Sequence, residues 1–288
     1  MTKVAWVTDS TAYLPEDLIK HPDVYVLPLG ITFGTEVLED GIDITTTQLY
    51  TRLKESKEVP KTSQPPAGAF ASLYEELKKN YDSAIAVHIS GNLSGTLESS
   101  RQGADIAAFP VRFIDSRSMS YAMTTLIYQG MQLLETGAEL DEVEQKLNEN
   151  AARSESYILL GSLEQFYKGG RMSGAQYLIG NLLKIKPIIT IDSAGTFQLF
   201  QKVRSEKKAL RRMMDLLAEA YEDGRMKSMQ VLHGNIPQKA AEVKQMIHER
   251  YPDLHVTMGE ISSTIAVHAG EGTLAFLWQN KSGSKSTG

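Results

Sequence analysis

Residues 83–108 read SAIAVHISGNLSGTLESSRQGADIAA, and this stretch decides the fold class. Its opening SAIAVHIS is an apolar run of strand length. The Gly/Ser segment from Gly91 to Gly95 breaks that run, and TLESSRQGADIAA continues as a helix. The same strand-loop-helix order lies on either side. Upstream, KVAWV (3–7) runs into Thr8-Asp9-Ser10 and a helix start at Leu14-Pro15-Glu16-Asp17. Downstream, VRFI (111–114) runs through Asp115-Ser116 into a long helix from Met119. Strands that alternate with helices predict a parallel sheet. Between the first two units, VYVLPLGITFGTEVLEDGIDIT (24–45) reads as a small β insertion, followed by a helical TTTQLYTRLKES.

A different pattern begins after a helix near 140–153. SYILLGS (156–162) reads as a strand and a helix is expected over 173–183. KIKPIITI and TFQLFQKV then pair as a hairpin, with Gly195 at its turn. A long amphipathic helix from Ser205 to about Tyr221 precedes MQVLHGN and LHVTMGE, which a further helix separates. The expectation is therefore an α/β protein of two domains. An N-terminal parallel-sheet domain over 1–157 carries the insertion at 24–45, and a C-terminal domain over 158–280 has a mixed or antiparallel sheet. KSGSKSTG (281–288) reads as a disordered tail.

Composition removes several function classes. Lys plus Arg number 30 against 35 Asp plus Glu, a net charge of -5, which argues against a binder of nucleic-acid backbone. The absence of cysteine rules out disulfides, thiolate metal sites and a cysteine nucleophile. Asp9 interrupts the N-terminus before a signal-peptide core can form, and Ser118–Leu134 is too polar to span a membrane, so a cytoplasmic protein is expected. The histidines at 21, 88, 233, 248, 255 and 268 show no HxH or HExxH spacing, and neither GxGxxG, GxxxxGK[ST] nor GxSxG occurs at a strand end. Neither a metal nor a cofactor is expected.

Ligands of an open parallel sheet collect beyond the C-terminal strand ends. That selects Asp9 and Ser10, the loop carrying Ser94, Gly95 and Thr96, and Asp115-Ser116. Ser94 reads equally as a helix N-cap, and so does Thr62 or Ser63 in TSQPP. Arg171 sits in KGGRMSG ahead of a helix, where it would suit an anion or a partner; His268 follows a Ser/Thr run and would orient a polar head group or serve structure. Met119, Met123, Leu126 and Ile127, with Leu178, Ile179 and Leu182, read either as core or as an apolar ligand lining. Three readings stay open on the residues alone: a binding cup for an anionic amphiphile, a module for a small polar ligand, and a serine hydrolase using Ser94 and His268 with Asp9 or Asp115.

In one order along the chain stand VTDSTAYLP, KTSQPPAGAF, HISGNLSGTLESS, FIDSRSMSYA, LEQFYKGGRMSG and GEISSTIAVHAGEG, and together they resemble the DegV family. The resemblance spans nearly the whole chain; the asparagine in the 90–96 loop is a local variant. It implies a two-domain fatty-acid carrier without catalytic residues of its own, the lipid-binding subunit of a bacterial fatty acid kinase. Such a subunit presents the carboxylate to a separate kinase protein for ATP-dependent conversion to acyl phosphate, and lipid exchange would bring transient membrane contact. By resemblance, Thr62 and Ser94 contact the carboxylate, with Gly95 and Thr96 in the same loop and Asp9 and Ser10 lining the neighbouring one. His268 joins the head-group network and Arg171 is the anion-side residue important in phosphate transfer.

Overall fold

A computed structural model of the chain describes residues 2–56, 60–171 and 185–283. The chain divides into two compact units. Unit 1 takes residues up to Thr45 together with Pro60–Ala152, and unit 2 takes the helix that begins at Thr46 and the chain from Arg153 onward.

In unit 1, strands β1 (Val4–Asp9), β2 (Val24–Leu27), β6 (Ser83–His88) and β7 (Val111–Asp115) form a parallel sheet in the order β2-β1-β6-β7. The short helix α1 (Glu16–Ile19) links β1 to β2. Helices α3 (Ala67–Leu77) and α4 (Thr96–Ala107) cover one face, and α5 (Tyr121–Glu135) and α6 (Leu140–Ala151) belong to the other. Strand periodicity sorts the two layers. Ala5 and Val7 pack with Phe70 and Tyr74 of α3, whereas Trp6 points the opposite way, where a β-carbon on Gly130 of α5 would fall 2.2 Å from its ring. Buried on both faces, β6 has all six residues out of solvent.

Strands β3 (Gly30–Phe33), β4 (Glu36–Glu39) and β5 (Lys61–Ser63) make a small antiparallel sheet in the order β4-β3-β5. The expected insertion over 24–45 is thus corrected at both ends. Val24–Leu27 joins the parallel sheet beside β1, because Trp6–Asp9 present an open ladder edge there. The third strand is Lys61–Ser63, where Thr62 or Ser63 read as a helix cap. Ile31 pairs with Thr62, and the N-cap of α3 is Pro66.

Unit 2 holds α2 (Thr46–Glu55) and a mixed sheet. Its strands are β8 (Ser154–Leu159), β9 (Lys186–Ile191), β10 (Phe197–Val203), β11 (Ser228–His233), β12 (His255–Glu260) and β13 (Leu274–Gln279), in the order β10-β9-β8-β13-β11-β12. β11 and β12 are parallel and the other pairs antiparallel. The hairpin turn falls where expected, with Gly195 at φ +80°. Helices α8 (Glu206–Glu222) and α9 (Pro237–Arg250) bury one face against Tyr157, Leu159, Met229, Val231, Phe276 and Trp278. Among the described residues, α7 (Leu163–Lys168) and α10 (Ser263–Ala269) pack on each other, and α2 packs on α10. The boundary drawn at 157/158 cuts through β8, whose whole ladder with β13 belongs to unit 2. The expected helix over 173–183, with Leu178, Ile179 and Leu182, lies outside the described residues, as do residues 284–288. Among the described residues no helix is long and apolar enough to cross a membrane.

Candidate functional site

Each unit carries part of the predicted site. In unit 1 the C-terminal ends of β1, β6 and β7 bring Asp9, the 90–96 loop and Asp115 to the same sheet end, where the strand order runs outward from β1 in one direction and from β6 in the other.

Asp9 is not a free ligand group. Its side chain is 0% exposed and accepts from the Thr11 amide and hydroxyl through Oδ1, and from His88 Nδ1 (3.0 Å) and the Ile89 amide (3.1 Å) through Oδ2. That fills a carboxylate's acceptor capacity. With Asp9 accepting at Nδ1, the other ring nitrogen of His88, Nε2, accepts from Ser100 Oγ at 2.9 Å, and Ser100 in turn meets Tyr74 Oη at 2.6 Å. A Ser-His-Asp chain therefore exists, but at Ser100, His88 and Asp9, each sealed from solvent where no substrate reaches it. Its role is to lock the β1 and β6 loops. A histidine at the buried end of SAIAVH was the available signal; its partners lie 79 and 12 residues away.

Ser10 is likewise engaged, accepting from the Leu29 amide and donating to Asp40, each at 3.0 Å, which ties β3 and β4 to β1. Asp115 receives the Arg117 amide at 2.8 Å and the Gly91 amide at 3.3 Å, so it braces the 90–96 loop.

The other predicted site residues of unit 1 are Ser94, Gly95, Thr96 and Thr62. Ser94 is half-buried and its Oγ shares a hydrogen bond with Thr96 Oγ1 at 2.8 Å; the N-cap of α4 is Gly95, not Ser94. Gly95 lies under the Gln64 amide, since a β-carbon on it would come within 2.6 Å of that side chain, and Gln64 reaches Ser99 Oγ at 3.3 Å. The segment that carries Thr62 is thereby seated on the loop that carries Ser94. Ser94 and Thr62 are half-buried, and Thr96, itself fully buried, braces the Ser94 hydroxyl, which leaves the Ser94 loop suited to hydrogen-bonding a small anionic group.

In unit 2, α7 and α10 are both capped by serines: Ser162 accepts from the Gln165 amide and Ser262 from the Ile265 amide. The loops between them touch backbone to backbone. A β-carbon on Gly161 would overlap the Glu271 carbonyl at 2.0 Å, and the Ser162 amide donates to the Ala269 carbonyl at 3.0 Å. This packing presses Gly169 against the His268 ring, where a β-carbon would sit 2.1 Å from Nδ1. Arg171 folds back to donate to the Gly169 carbonyl at 2.6 Å. Unit 2 thus brings Arg171 and His268 together, which spacing along the chain does not reveal. Burial first, and the Arg171 guanidinium second, push His268 down to about 4, so the ring is neutral at pH 7 and offers one N–H donor and one acceptor.

The sign of the resulting pH dependence is fixed. The unfolded chain binds a proton at His268 below about 6.5 that the folded, ligand-free protein takes up only near 4, so this residue removes stability as pH falls through that window. Between pH 7 and 5 the loss attributable to His268 is about 2 kcal/mol. Urea denaturation of wild type and His268→Gln at both pH values checks this. The difference between them cancels the background from His233, which burial also lowers. Equal pH slopes in the two proteins would contradict the assignment.

Among the described residues no three His, Asp or Glu side chains converge on a metal position. Met119, Met123, Leu126 and Ile127 are all buried within unit 1.

The chain is similar along nearly its whole length to proteins already described. A family model described as "Uncharacterised protein, DegV family" matches residues 3–281. Protein DegV of Bacillus subtilis is 34% identical over 278 residues, covering 96% of this chain and 98% of that one. The crystal structure of Bacillus subtilis DegV, described as a fatty acid binding protein, superposes with a TM-score of 0.89 at 32% identity, covering 98% of this chain and 100% of that one. A Thermus thermophilus DegV family protein, described for its fatty acid binding, gives 0.86 at 30% identity over 97% of this chain and 100% of that one. With a family match over residues 3–281 and the same two-unit α/β architecture, this chain belongs to the DegV family.

Proposed function

We propose that this protein carries one long-chain fatty acid and presents its carboxylate to a separate kinase protein for phosphorylation to acyl phosphate. The observation that carries the lipid half is whole-length similarity to DegV structures described as fatty acid binding proteins. The residues of each unit suit the role. In unit 1, Ser94 and Thr62 carry hydroxyls suited to a carboxylate, with Gly95 and Thr96 shaping the same loop; in unit 2, neutral His268 carries an N–H of the same use. Asp9 and Ser10 act one step back, as the groups that hold the loops.

Affinity would come from the chain rather than the head. Burying about fourteen methylenes at about 0.8 kcal/mol each supplies on the order of 11 kcal/mol before ordering costs. Each hydrogen bond to the carboxylate adds roughly 1.5–3 kcal/mol against water and mainly orients it. Arg171, next to His268 and donating from Nη1 to the Gly169 carbonyl, is the cation we assign to the phosphate-transfer side. No nucleotide-binding motif stands in the sequence, so the donor site is placed on the partner.

Native mass spectrometry of purified protein, with extraction of what it releases, tests the lipid half. A stoichiometric long-chain acid supports it, and a protein that is empty and refuses added oleate or palmitate overturns it. For the kinase half, Ser94→Ala is expected to weaken retention about tenfold. Arg171→Ala is expected to retain lipid normally while lowering acyl phosphate formation with the partner kinase at least about a hundredfold. Normal turnover of the Arg171 variant would refute its role.

A further inference from the structure

On β11, Met229 and Val231 face α8 and α9, so Gln230 between them faces the opposite side of the unit 2 sheet. That second face is apolar. Ile158, Ile189, Leu232, Ala275 and Leu277 lie on it, each 8% exposed or less. Gln230 is 0% exposed, and among the described residues neither its Oε1 nor its Nε2 has a hydrogen-bond partner. Its cross-strand neighbours are Leu277 and Thr257, and the Thr257 hydroxyl is turned to the Met229 carbonyl at 3.3 Å.

An orphaned primary amide in such a place is destabilising, because it has lost its water without gaining a partner, and a leucine would fit the face without that cost. The amide therefore calls for a partner from outside the protein's own side chains. One hydroxyl satisfies it fully, accepting from Nε2 and donating to Oε1; an oxo group satisfies Nε2.

Its depth says where on a ligand that oxygen would sit. Gly234, just past β11, is bonded to Gly272 and Thr273 in the loop that follows His268. Gln230 lies four residues back along the strand, ~13 Å from that end, about the span of ten acyl carbons. A carboxylate at His268 would thus bring the middle of a long chain to Gln230.

We propose that Gln230 is a specificity residue, and that the preferred ligand is a long-chain fatty acid bearing a hydroxyl or oxo oxygen near the middle of its chain. The inference rests on the fatty-acid reading above and names its substrate class.

The test is a competition. Delipidated protein is offered equal stearate and 10-hydroxystearate, and native mass spectrometry reads the bound ratio in wild type, Gln230→Leu and Gln230→Met, with circular dichroism confirming the fold of each. Wild type is expected to favour the hydroxy acid at least about tenfold, and both variants to reverse toward stearate, because a site built for a polar group rejects the analogue lacking it. Methionine keeps the side chain's length, so a folding failure in the leucine variant leaves the test intact. Equal retention by wild type, or one ratio in all three proteins, overturns the proposal and assigns the amide to a buried water. Retention of neither acid by wild type overturns the fatty-acid reading itself, a result distinct from an altered ratio.

Discussion

Asp9→Ala is expected to lower the stability of unit 1 by about 3–5 kcal/mol and its thermal midpoint by about 10 °C. The reason is the number of groups that one carboxylate satisfies. Removing it strands the N–H of His88 and the amides of Ile89 and Thr11 in a region closed to water, and each lost partner costs about 1–3 kcal/mol. Asparagine would not restore the wild-type value, because its NH₂ would face donors on the Oδ2 side, where His88 Nδ1 and the Ile89 amide both point. Thermal denaturation followed by circular dichroism gives the magnitude, and amide exchange at residues 88–92 gives the location. A loss below about 1 kcal/mol would show that water takes over these donors. Because the 90–96 loop is built on the end of β6, the same variant should also weaken retention of a fatty acid, with Ser94 itself intact.

The second large effect belongs to unit 2. Arg225 is 5% exposed and its Nη1 donates to Glu155 at 2.8 Å, while Asn280 Nδ2 donates to the same carboxylate oxygen at 2.8 Å. Three distant segments meet there: the start of β8, the residue after β13 and the turn between α8 and β11. Arg225→Met should cost about 3–5 kcal/mol, because it leaves the Glu155 carboxylate buried without its cation. The double variant Arg225→Met/Glu155→Gln should recover more than half of that loss, since much of the cost is the uncompensated charge. Denaturant midpoints of the wild type, both single variants and the double variant close the cycle. Additive losses would mean that the pair is not coupled and that the arginine acts through its packing alone.

What could be read from the chain itself was set by local physics. Apolar runs followed by Gly/Ser breaks and helical repeats are properties of adjacent residues, so β1, β6 and β7 with their helices, and the β9–β10 hairpin, were legible. The loops at the strand ends were legible for the same reason, because a parallel sheet places its connections in one of two layers.

Assignments that depend on distant partners were not. Val24–Leu27 looks like its neighbours in the insertion, and only the open edge of β1 recruits it to the larger sheet. Lys61–Ser63 is three residues long, too short for any periodicity, and becomes a strand because β3 offers it a ladder. Asp9 and Ser10 carry ligand-like side chains in a ligand-like loop, yet their hydrogen bonds to His88, Ile89, Leu29 and Asp40 turn them into supports. Arg171 and His268 stand almost a hundred residues apart, and the glycine-dependent contact between the loops of α7 and α10 brings them together. Local pattern thus reached the elements whose apolar runs and helical repeats are complete in themselves, since those follow from neighbours along the chain, and missed the strands that exist only as partners of another. Tertiary structure alone decided which polar groups are already satisfied and which remain for a ligand, because a hydrogen bond is completed by whatever the fold places within about 3 Å, at any sequence separation.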